Sequence, residues 1–433
     1  MFTTYEEALA WIHTRRGMGP KPGIKRMEWM MEKLHHPERS FPSIHIAGTN
    51  GKGSTVAYLT SLFLASGHTV GSFTSPHIMK FNERISLNGL PMDDEDVVWL
   101  ANEIQPLYEE ISQTPLGGLT EFEVITSMMF LYFSKKQPDV VLIEVGLGGL
   151  FDSTNVVLPE LCVITTIGLD HLQILGNTIS EIAFQKAGIM KPKVPVVIGK
   201  IEGEAKAVLE QVAQEKSAPL SAYGRDFHSV HHPTATNLNE RFDYRTEEAY
   251  YAELEIRLMG AHQVENAATA LHAYRCYCKQ RNLSYTAEMI HAGLKAAFWP
   301  VRMEVMARRP YVILDGAHNE PAMQVLVKTL EDNFKGKRIK VLYAALTTKE
   351  LSEIGLWLQK IPNADIHLTT FDFPKAASLA DLKERMQLRE ASYHEDWQTA
   401  FTDLLATADS DDVILVTGSL YFLSEMRHFI LEN

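Results

Sequence analysis

Cysteine is scarce in this chain, with only Cys162, Cys276 and Cys278 among 433 residues. Three thiols at these spacings build neither a disulfide framework nor a zinc site, and positions 276 and 278 cannot face each other on one helix. A basic excess is also lacking. The formal net charge of -13 leaves no broad cationic face of the kind that nucleic-acid or anionic-membrane binding rests on. No apolar run is long enough to cross a bilayer, since the most apolar helical stretch, Val124–Phe133, is too short. The opening residues Met1-Phe2-Thr3-Thr4-Tyr5-Glu6-Glu7 carry early acids and no basic flank before an apolar core, so they do not read as a secretory signal. Thr4 and Glu7 read instead as a capping box opening an amphipathic helix. The expectation is a cytoplasmic monomer without nucleic-acid or membrane partners.

What is present points to an α/β protein. A 45% hydrophobic content over this length suits about two or three domains and more than one core. From Ser43 onward, β-branched runs alternate with helical patterns: Ile44–Ala47, then Lys52–Ser66, then Thr69–Thr74. Near-continuous apolar runs at Asp139–Val145, Cys162–Ile167 and Val194–Ile198 read as strands of a buried parallel sheet. Between Ser221 and Leu258 the pattern becomes polar-interrupted, with Ala252, Leu254, Ile256 and Leu258 facing one way, which predicts antiparallel strands on one edge. Helices follow at Gln263–Lys279 and Thr286–Ala297. After a hinge at Trp299-Pro300, a second alternation of strands and helices begins at Tyr311–Leu314 and ends with a strand at Val413–Val416 and a terminal helix. No internal repeat is seen, and His231–Glu240 reads as the loop-rich segment. The predicted architecture is a P-loop ATPase domain with a parallel sheet plus a small antiparallel edge over residues 1–298, then a smaller Rossmann-like α/β domain over 299–433.

The segment Gly48-Thr49-Asn50-Gly51-Lys52-Gly53-Ser54 follows the first strand and opens a helix. That is the setting in which backbone N–H groups, a lysine and a helix N-terminus hold phosphates. Its spacing departs from G-x-x-x-x-G-K-[ST]: the first glycine comes two residues late and Gly53 separates Lys52 from Ser54. Asn50, Gly51, Lys52, Gly53 and Ser54 are therefore nucleotide-binding candidates. Glu144 closes an apolar strand, and Gly168-Leu169-Asp170-His171 follows the next. Both lie at carboxyl ends, where open α/β sheets bind ligands, and a carboxylate there suits magnesium. Read alone, Lys186 belongs to a solvated helix face and Phe122 to the core.

Taken together, Ile46-Ala47-Gly48-Thr49-Asn50-Gly51-Lys52-Gly53-Ser54-Thr55 resembles the signature of folylpolyglutamate synthase and dihydrofolate synthase, within the Mur ligase superfamily, and the similarity runs over nearly the whole chain. The resemblance implies that Ser75, in Thr74-Ser75-Pro76-His77 near Glu83-Arg84-Ile85, is a magnesium ligand together with Glu144 and His171. It implies two magnesium ions, with a monovalent cation as an optional addition, and that Lys186 is carried as a carbamate. A partly desolvated lysine is suited to that, because carbon dioxide adds to the neutral amine. Asn266, Arg302 and Asp315 match nucleotide positions, which implies ATP lying between the two domains, with closure completing the site. Gly23, Ile24 and Arg26, with Phe122, Glu123 and Asp152, match pterin-contacting positions. Phe122 would stack on a flat heterocycle and Glu123 would accept hydrogen bonds from its edge. The chain departs from the family at Leu150 for arginine, Val301 for glycine, Glu320 for proline, and Thr348 for the aspartate before Lys349. These departures spare the phosphate and metal positions and bear on substrate preference.

The activity so implied is transfer of the ATP γ-phosphoryl group to a carboxylate, giving an acyl phosphate that the amine of L-glutamate attacks, on dihydropteroate or a reduced folate. Lys52 and magnesium would offset charge on the transferring group, Arg302 would guide it, and no protein nucleophile is needed. His318 is a candidate to orient the reacting phosphate, or equally a helix-start packing residue. Two other readings compete: a related Mur-type amide ligase with a different carboxylate acceptor, such as a cell-wall precursor, and a nucleotide-dependent binding protein without turnover. Glu144, His171 and Lys186 speak against the last, since a pure binder has no use for them.

Overall fold

The computed structural model describes residues 1–15, 23–233, 238–347 and 351–432. The chain divides into two compact units. The first comprises Met1–Val230, Phe242–Glu255 and Val264–Ala297, and the second His231–Arg241, Ile256–Gln263 and Phe298–Asn433.

The first unit is organised by an eight-stranded sheet. Its strands are β1 (Ser43–Ala47), β2 (Val70–Phe73), β3 (Ile85–Leu87), β4 (Leu90–Pro91), β5 (Val140–Glu144), β6 (Leu161–Ile164), β7 (Val196–Ile198) and β8 (Leu220–Ala222), in the order β4-β3-β2-β5-β1-β6-β7-β8. β1 and β5 are buried at every residue because helices cover both faces, which is why their sequences are nearly unbroken apolar runs. One face packs against helices Tyr5–His13, Lys25–Lys33, Asp94–Ser112 and Glu121–Lys136 through Phe73, Ile143 and Phe130. Elsewhere Ile164, Ala183, Ile198 and Leu209 join the sheet to helices Ile179–Ala187 and Gly203–Glu215. Helix Lys52–Ala65 lies tightly on helix Ala287–Ala296, since a Cβ at Gly293 would meet Leu62 Cα at 2.9 Å.

Three parallel neighbours decide where the site can form. β1 pairs with β5, Ile46 opposite Glu144, and with β6, Ala47 opposite Ile164. The chain leaves β1 for β2 on one side of the sheet and leaves β5 for β6 on the other. The carboxyl ends at this change of direction, where such sheets bind ligands, carry Gly48, Glu144 and the Thr165–His171 segment.

Thr4 caps Tyr5–His13 with a complete capping box to Glu7, as its sequence predicts. The antiparallel prediction needs correction. The segment after Ser221 does not extend the large sheet beyond β8; residues 227–256 form a separate three-stranded sheet of β9 (Phe227–His232), β10 (Glu240–Thr246) and β11 (Tyr250–Ile256), in the order β11-β10-β9. The antiparallel edge of the large sheet is β3 and β4. Ala252 does not share the buried side with Leu254 and Ile256: Glu253 adopts a φ of 52°, which breaks the two-residue alternation, so Ala252 is exposed and Leu254 buried. His231, His232 and Glu240 are strand residues, not loop, and residues 234–237 of the predicted loop lie outside the described residues.

The second unit holds a six-stranded sheet of β12 (Glu304–Arg308), β13 (Tyr311–Asp315), β14 (Ile339–Ala344), β15 (Ala364–Thr369), β16 (Ser392–His394) and β17 (Val413–Gly418), in the order β12-β13-β17-β14-β15-β16. Only β12 runs antiparallel to its neighbour. Its core includes Ile313, Met323, Val341, Leu358 and Leu415. Among the described residues no helix is long and apolar enough to cross a membrane.

One close contact sets the position of Lys186. A Cβ at Gly188, the residue capping helix Ile179–Ala187, would run into Leu150 Cα and lie 2.8 Å from its backbone nitrogen. Gly188→Ala is therefore expected to lower unfolding free energy by about 2 kcal/mol, as overpacking against backbone does. Urea unfolding followed by circular dichroism checks this, and an unchanged midpoint would show that the two segments are not pressed together.

Candidate functional site

The glycine-rich loop is held open by threonines. Gly48 has a φ of 152°, and a side chain there would collide with Thr165 Oγ1. Gly51 sits at the N-cap of helix Lys52–Ala65 with a φ of 85°, a left-handed conformation that glycine adopts at least cost, and a Cβ there would strike Asn266 Oδ1. Thr165 Oγ1 donates to Asn50 O at 2.6 Å, Asn50 N donates to Thr166 Oγ1 at 3.0 Å, and Thr49 N donates to Thr166 O at 2.9 Å. Thr49 Oγ1 also accepts from Gly168 N at 3.0 Å. The loop's own carbonyls and side chains thus bond to the segment after β6. Ser54 is buried one turn into the helix, and Gly53 is half-buried.

Two lysines meet on one carbonyl. Lys52 Nζ donates to Gly48 O at 2.9 Å and to Thr49 O at 3.2 Å, and Lys186 Nζ donates to the same Gly48 O at 3.1 Å. Lys186 is 4% exposed, which overturns its reading as a solvated helix residue; its helix lies against the Gly148–Leu150 segment, whose Leu150 N donates to Gln185 O at 2.7 Å. Burial first, and the neighbouring Lys52 second, push Lys186 from the ordinary lysine value of 10.5 down to about 7, with Asp170 and Asp152 acting the other way. The amine is therefore available in neutral form near neutrality.

Glu144 is buried at the end of β5, and Ser75 N donates to its Oε2 at 3.3 Å. The structure thus brings Ser75 and Glu144 together. His171 is exposed, has a φ of 48° at the N-cap of the short helix Leu172–Leu175, and lies 3.7 Å from Asp170. A buried carboxylate with a serine beside it, at the strand end next to the glycine-rich loop, offers the hard oxygen donors that suit magnesium.

The residues matched to the heterocycle also gather in the first unit. Arg26 Nε donates to Glu123 Oε1 at 2.8 Å, while Glu123 Oε2 accepts from Thr120 N at 2.7 Å in the capping box of helix Glu121–Lys136. Phe122 stands beside Phe73, centroids 5.8 Å apart, and its ring fills the space that a side chain at Gly146 would need. It is only half-buried and so is not purely core. Asp152 is buried; its Oδ2 accepts from Leu147 N at 2.8 Å and its Oδ1 from Thr154 N at 3.0 Å. Burial raises its pKa above the usual carboxylate value, with these donors offsetting part of the rise. Gly23, at a φ of 112°, and Ile24 lead into helix Lys25–Lys33; Pro22 lies outside the described residues.

In the second unit, Asp315 ends β13 and is buried, accepting from Met303 N at 2.9 Å and Ala317 N at 3.0 Å. Burial raises its pKa, while Arg302 and the two N–H donors pull it back. Arg302 Nη1 donates to Gly316 O at 3.3 Å, and His318 Nδ1 lies 2.7 Å from that same oxygen. Arg302, Asp315 and His318 therefore share one turn, with Asn319 capping helix Glu320–Asn333.

The chain's relatives decide its family. The profile of the Mur ligase middle domain matches residues 46–274, and that of the Mur ligase glutamate ligase domain matches residues 301–420. The chain is 42% identical over 428 residues to the dihydrofolate synthase/folylpolyglutamate synthase of Bacillus subtilis, covering 99% of both. The chain belongs to the folylpolyglutamate synthase/dihydrofolate synthase family of Mur ligases. It is 34% identical to the folylpolyglutamate synthase of Lacticaseibacillus casei, again over 99% of each. The Mycobacterium tuberculosis folylpolyglutamate synthase complexed with ADP and AMPPCP superposes with a TM-score of 0.88 at 29% identity, covering 98% of this chain and 99% of that one. An FPGS–AMPPCP–folate complex superposes with a TM-score of 0.86 at 32% identity, covering 99% and 100%.

Within this family fold, three of the departures have a physical reading. Val301 is fully buried with a φ of 52°; a β-branched residue there costs on the order of 1–2 kcal/mol, which gives the usual glycine a backbone reason. At Leu150 the contacts are made by the backbone, Leu150 O accepting from Asn155 Nδ2 at 3.1 Å, so the side chain can change without rebuilding the turn. Glu320 begins its helix, where a carboxylate is favoured by the helix dipole. Thr348 lies outside the described residues. Residue-by-residue reading missed Thr49, Thr165 and Thr166; the pair of threonines closing an apolar strand was the available signal.

Lys186 makes stability depend on pH. Between about 7 and the ordinary 10.5 the unfolded chain holds a proton that the folded chain lacks, so stability rises with pH across that window. This contribution is complete above the unfolded value and lost as pH falls through about 7. In carbonate-free, metal-free buffer, Lys186→Met is expected to flatten the rise in unfolding free energy measured by urea titration. An unaltered slope would show that Lys186 is not the buried amine described.

Proposed function

We propose that this chain is an ATP- and magnesium-dependent ligase joining L-glutamate to a folate-type carboxylate, dihydropteroate or a reduced folate, through an acyl phosphate. The observation that carries the reading is the meeting of Lys52 and Lys186 on Gly48 O beside buried Glu144, in a chain of this family. The Lys52 ammonium calls for an anion, which a nucleotide's phosphates supply, and the buried amine of Lys186 beside it is open to carbon dioxide.

Asn50, Gly51, Gly53 and Ser54 bind the phosphates at the start of the helix, and Asn266, packed against Gly51, borders the same loop. Lys52 turns from the loop carbonyls toward the β/γ-phosphates and offsets charge as the γ-phosphoryl group passes to the acceptor carboxylate. Ser75, Glu144, His171 and a carbamate on Lys186 would hold magnesium, two ions in all, and the metal would supply polarisation of the phosphoryl oxygens. The carbamate forms as the neutral amine adds carbon dioxide and releases a proton. Phe122 stacks on the acceptor's heterocycle, with Glu123, Arg26, Asp152, Gly23 and Ile24 shaping its surroundings. Arg302, Asp315 and His318 serve the nucleotide and the transferring phosphate. The amine of L-glutamate then attacks the acyl phosphate, forming the amide and releasing phosphate. Catalysis here is positioning and charge stabilisation, so no side chain acts as nucleophile.

Purified protein given ATP, magnesium, L-glutamate and either dihydropteroate or a reduced folate is expected to release phosphate and form the glutamyl amide only when all components are present. Absence of release with both acceptors would contradict the proposal and favour a Mur-type ligase with another carboxylate acceptor.

A further inference from the structure

A histidine at the centre of the parallel sheet has no role in the chemistry above. His45 lies in β1 between Ile143 of β5 and Cys162 of β6 and is fully buried. A buried imidazole costs stability unless its polar atoms are engaged, so its partner identifies its purpose. Nε2 lies 2.8 Å from Thr154 Oγ1, whereas Nδ1 has no hydrogen-bond partner among the described residues.

The direction of the contacts follows from the number of protons. Thr154 has one hydroxyl proton, and a carboxylate only accepts. That proton goes to Asp152 Oδ1, so Thr154 Oγ1 accepts from His45 Nε2–H. The tautomer is thereby assigned, and the chain of donors runs from His45 through Thr154 to Asp152. Asp152 in turn holds Leu147 N at 2.8 Å, and its Oδ2 lies 3.2 Å from where a Cβ on Gly146 would stand, next to the Phe122 ring. Burial and the nearby Lys191 push the His45 pKa down to about 3, so the ring stays neutral, and with Asp152 as carboxylate the chain runs in this direction.

We propose that His45 is a positioning residue for the acceptor: through Thr154 it aims Asp152, and with it the Gly146-Leu147 turn against Phe122, tying the strand that carries the phosphate loop to the acceptor side of the site. This rests on the reading of Asp152 and Phe122 as acceptor residues. His45 touches no reacting atom, and its effect belongs to acceptor affinity.

Steady-state kinetics with acceptor and ATP varied separately test it, using Thr154→Val, Thr154→Ser, His45→Phe and Asp152→Asn. Losing one buried hydrogen bond is expected to raise the acceptor KM about tenfold in Thr154→Val and His45→Phe, with the ATP KM within about twofold of the parent. Thr154→Ser, which keeps the hydroxyl, is expected to stay near the parent, and the Thr154→Val/His45→Phe double variant to be no worse than the poorer single one, as members of one chain are. If His45→Phe fails to fold, the near-isosteric valine and serine pair decides. A rise in acceptor KM with Asp152→Asn but not with Thr154→Val would overturn the role of His45 while leaving the acceptor reading intact. An unchanged acceptor KM in Asp152→Asn would overturn the acceptor reading, and this inference with it.

Discussion

Two lysine side chains on one backbone carbonyl are the constraint around which the first unit is arranged. Lys52 and Lys186 come from different helices, yet both donate to Gly48 O. Like charges at this separation repel, and burial adds to the cost of keeping Lys186 charged. The fold meets the cost partly by lowering the Lys186 pKa and partly by Asp170 and Asp152, whose charges favour its ammonium form. The contact keeps Lys52 at the phosphate loop and sets Lys186 beside it as a buried amine.

The surroundings explain why the contact can exist. β1, β5 and β6 are parallel neighbours, so the loop, Glu144 and the Thr165-Thr166 pair leave the sheet at one level. Thr165 and Thr166 take up Asn50 O and N, and Gly48 lets Thr165 approach where any side chain would clash. The acceptor side is equally pre-set. Glu123 is fastened by Arg26 and Thr120, and Asp152 by Leu147 and Thr154. Side chains fixed before substrate arrives lose little entropy on binding, which is how a preorganised site spends its folding energy.

Much of this was legible in the sequence, where the signal is local. The glycine spacing after a strand and before a helix names a phosphate loop, and Glu144 at the end of an apolar run predicts its own location. Lys186 was not legible as a buried amine, because its burial depends on Gly188 meeting Leu150, a contact between separate segments. The residues after Ser221 join a different sheet from the one their pattern predicts, because alternation shows that a strand is half-buried and not which sheet it joins. Glu253, turned into the left-handed region, also breaks the alternation that placed Ala252 inside. Strand β12, half-buried or exposed throughout, and the three-residue β16 carry no apolar period to show them. Asp152 and Glu123 were found through family resemblance, yet their hydrogen bonds to the chain itself, which no spacing encodes, are what the structure adds.

The central claim is that this lysine-lined loop activates a carboxylate by phosphorylation. The direct measurement is to supply an acceptor whose carboxylate carries heavy oxygen, with ATP, magnesium and L-glutamate, and to analyse the released phosphate by mass spectrometry. An acyl phosphate requires that one carboxylate oxygen leave with the phosphate, so labelled phosphate is expected in proportion to amide formed. Amide formation with unlabelled phosphate would contradict the account.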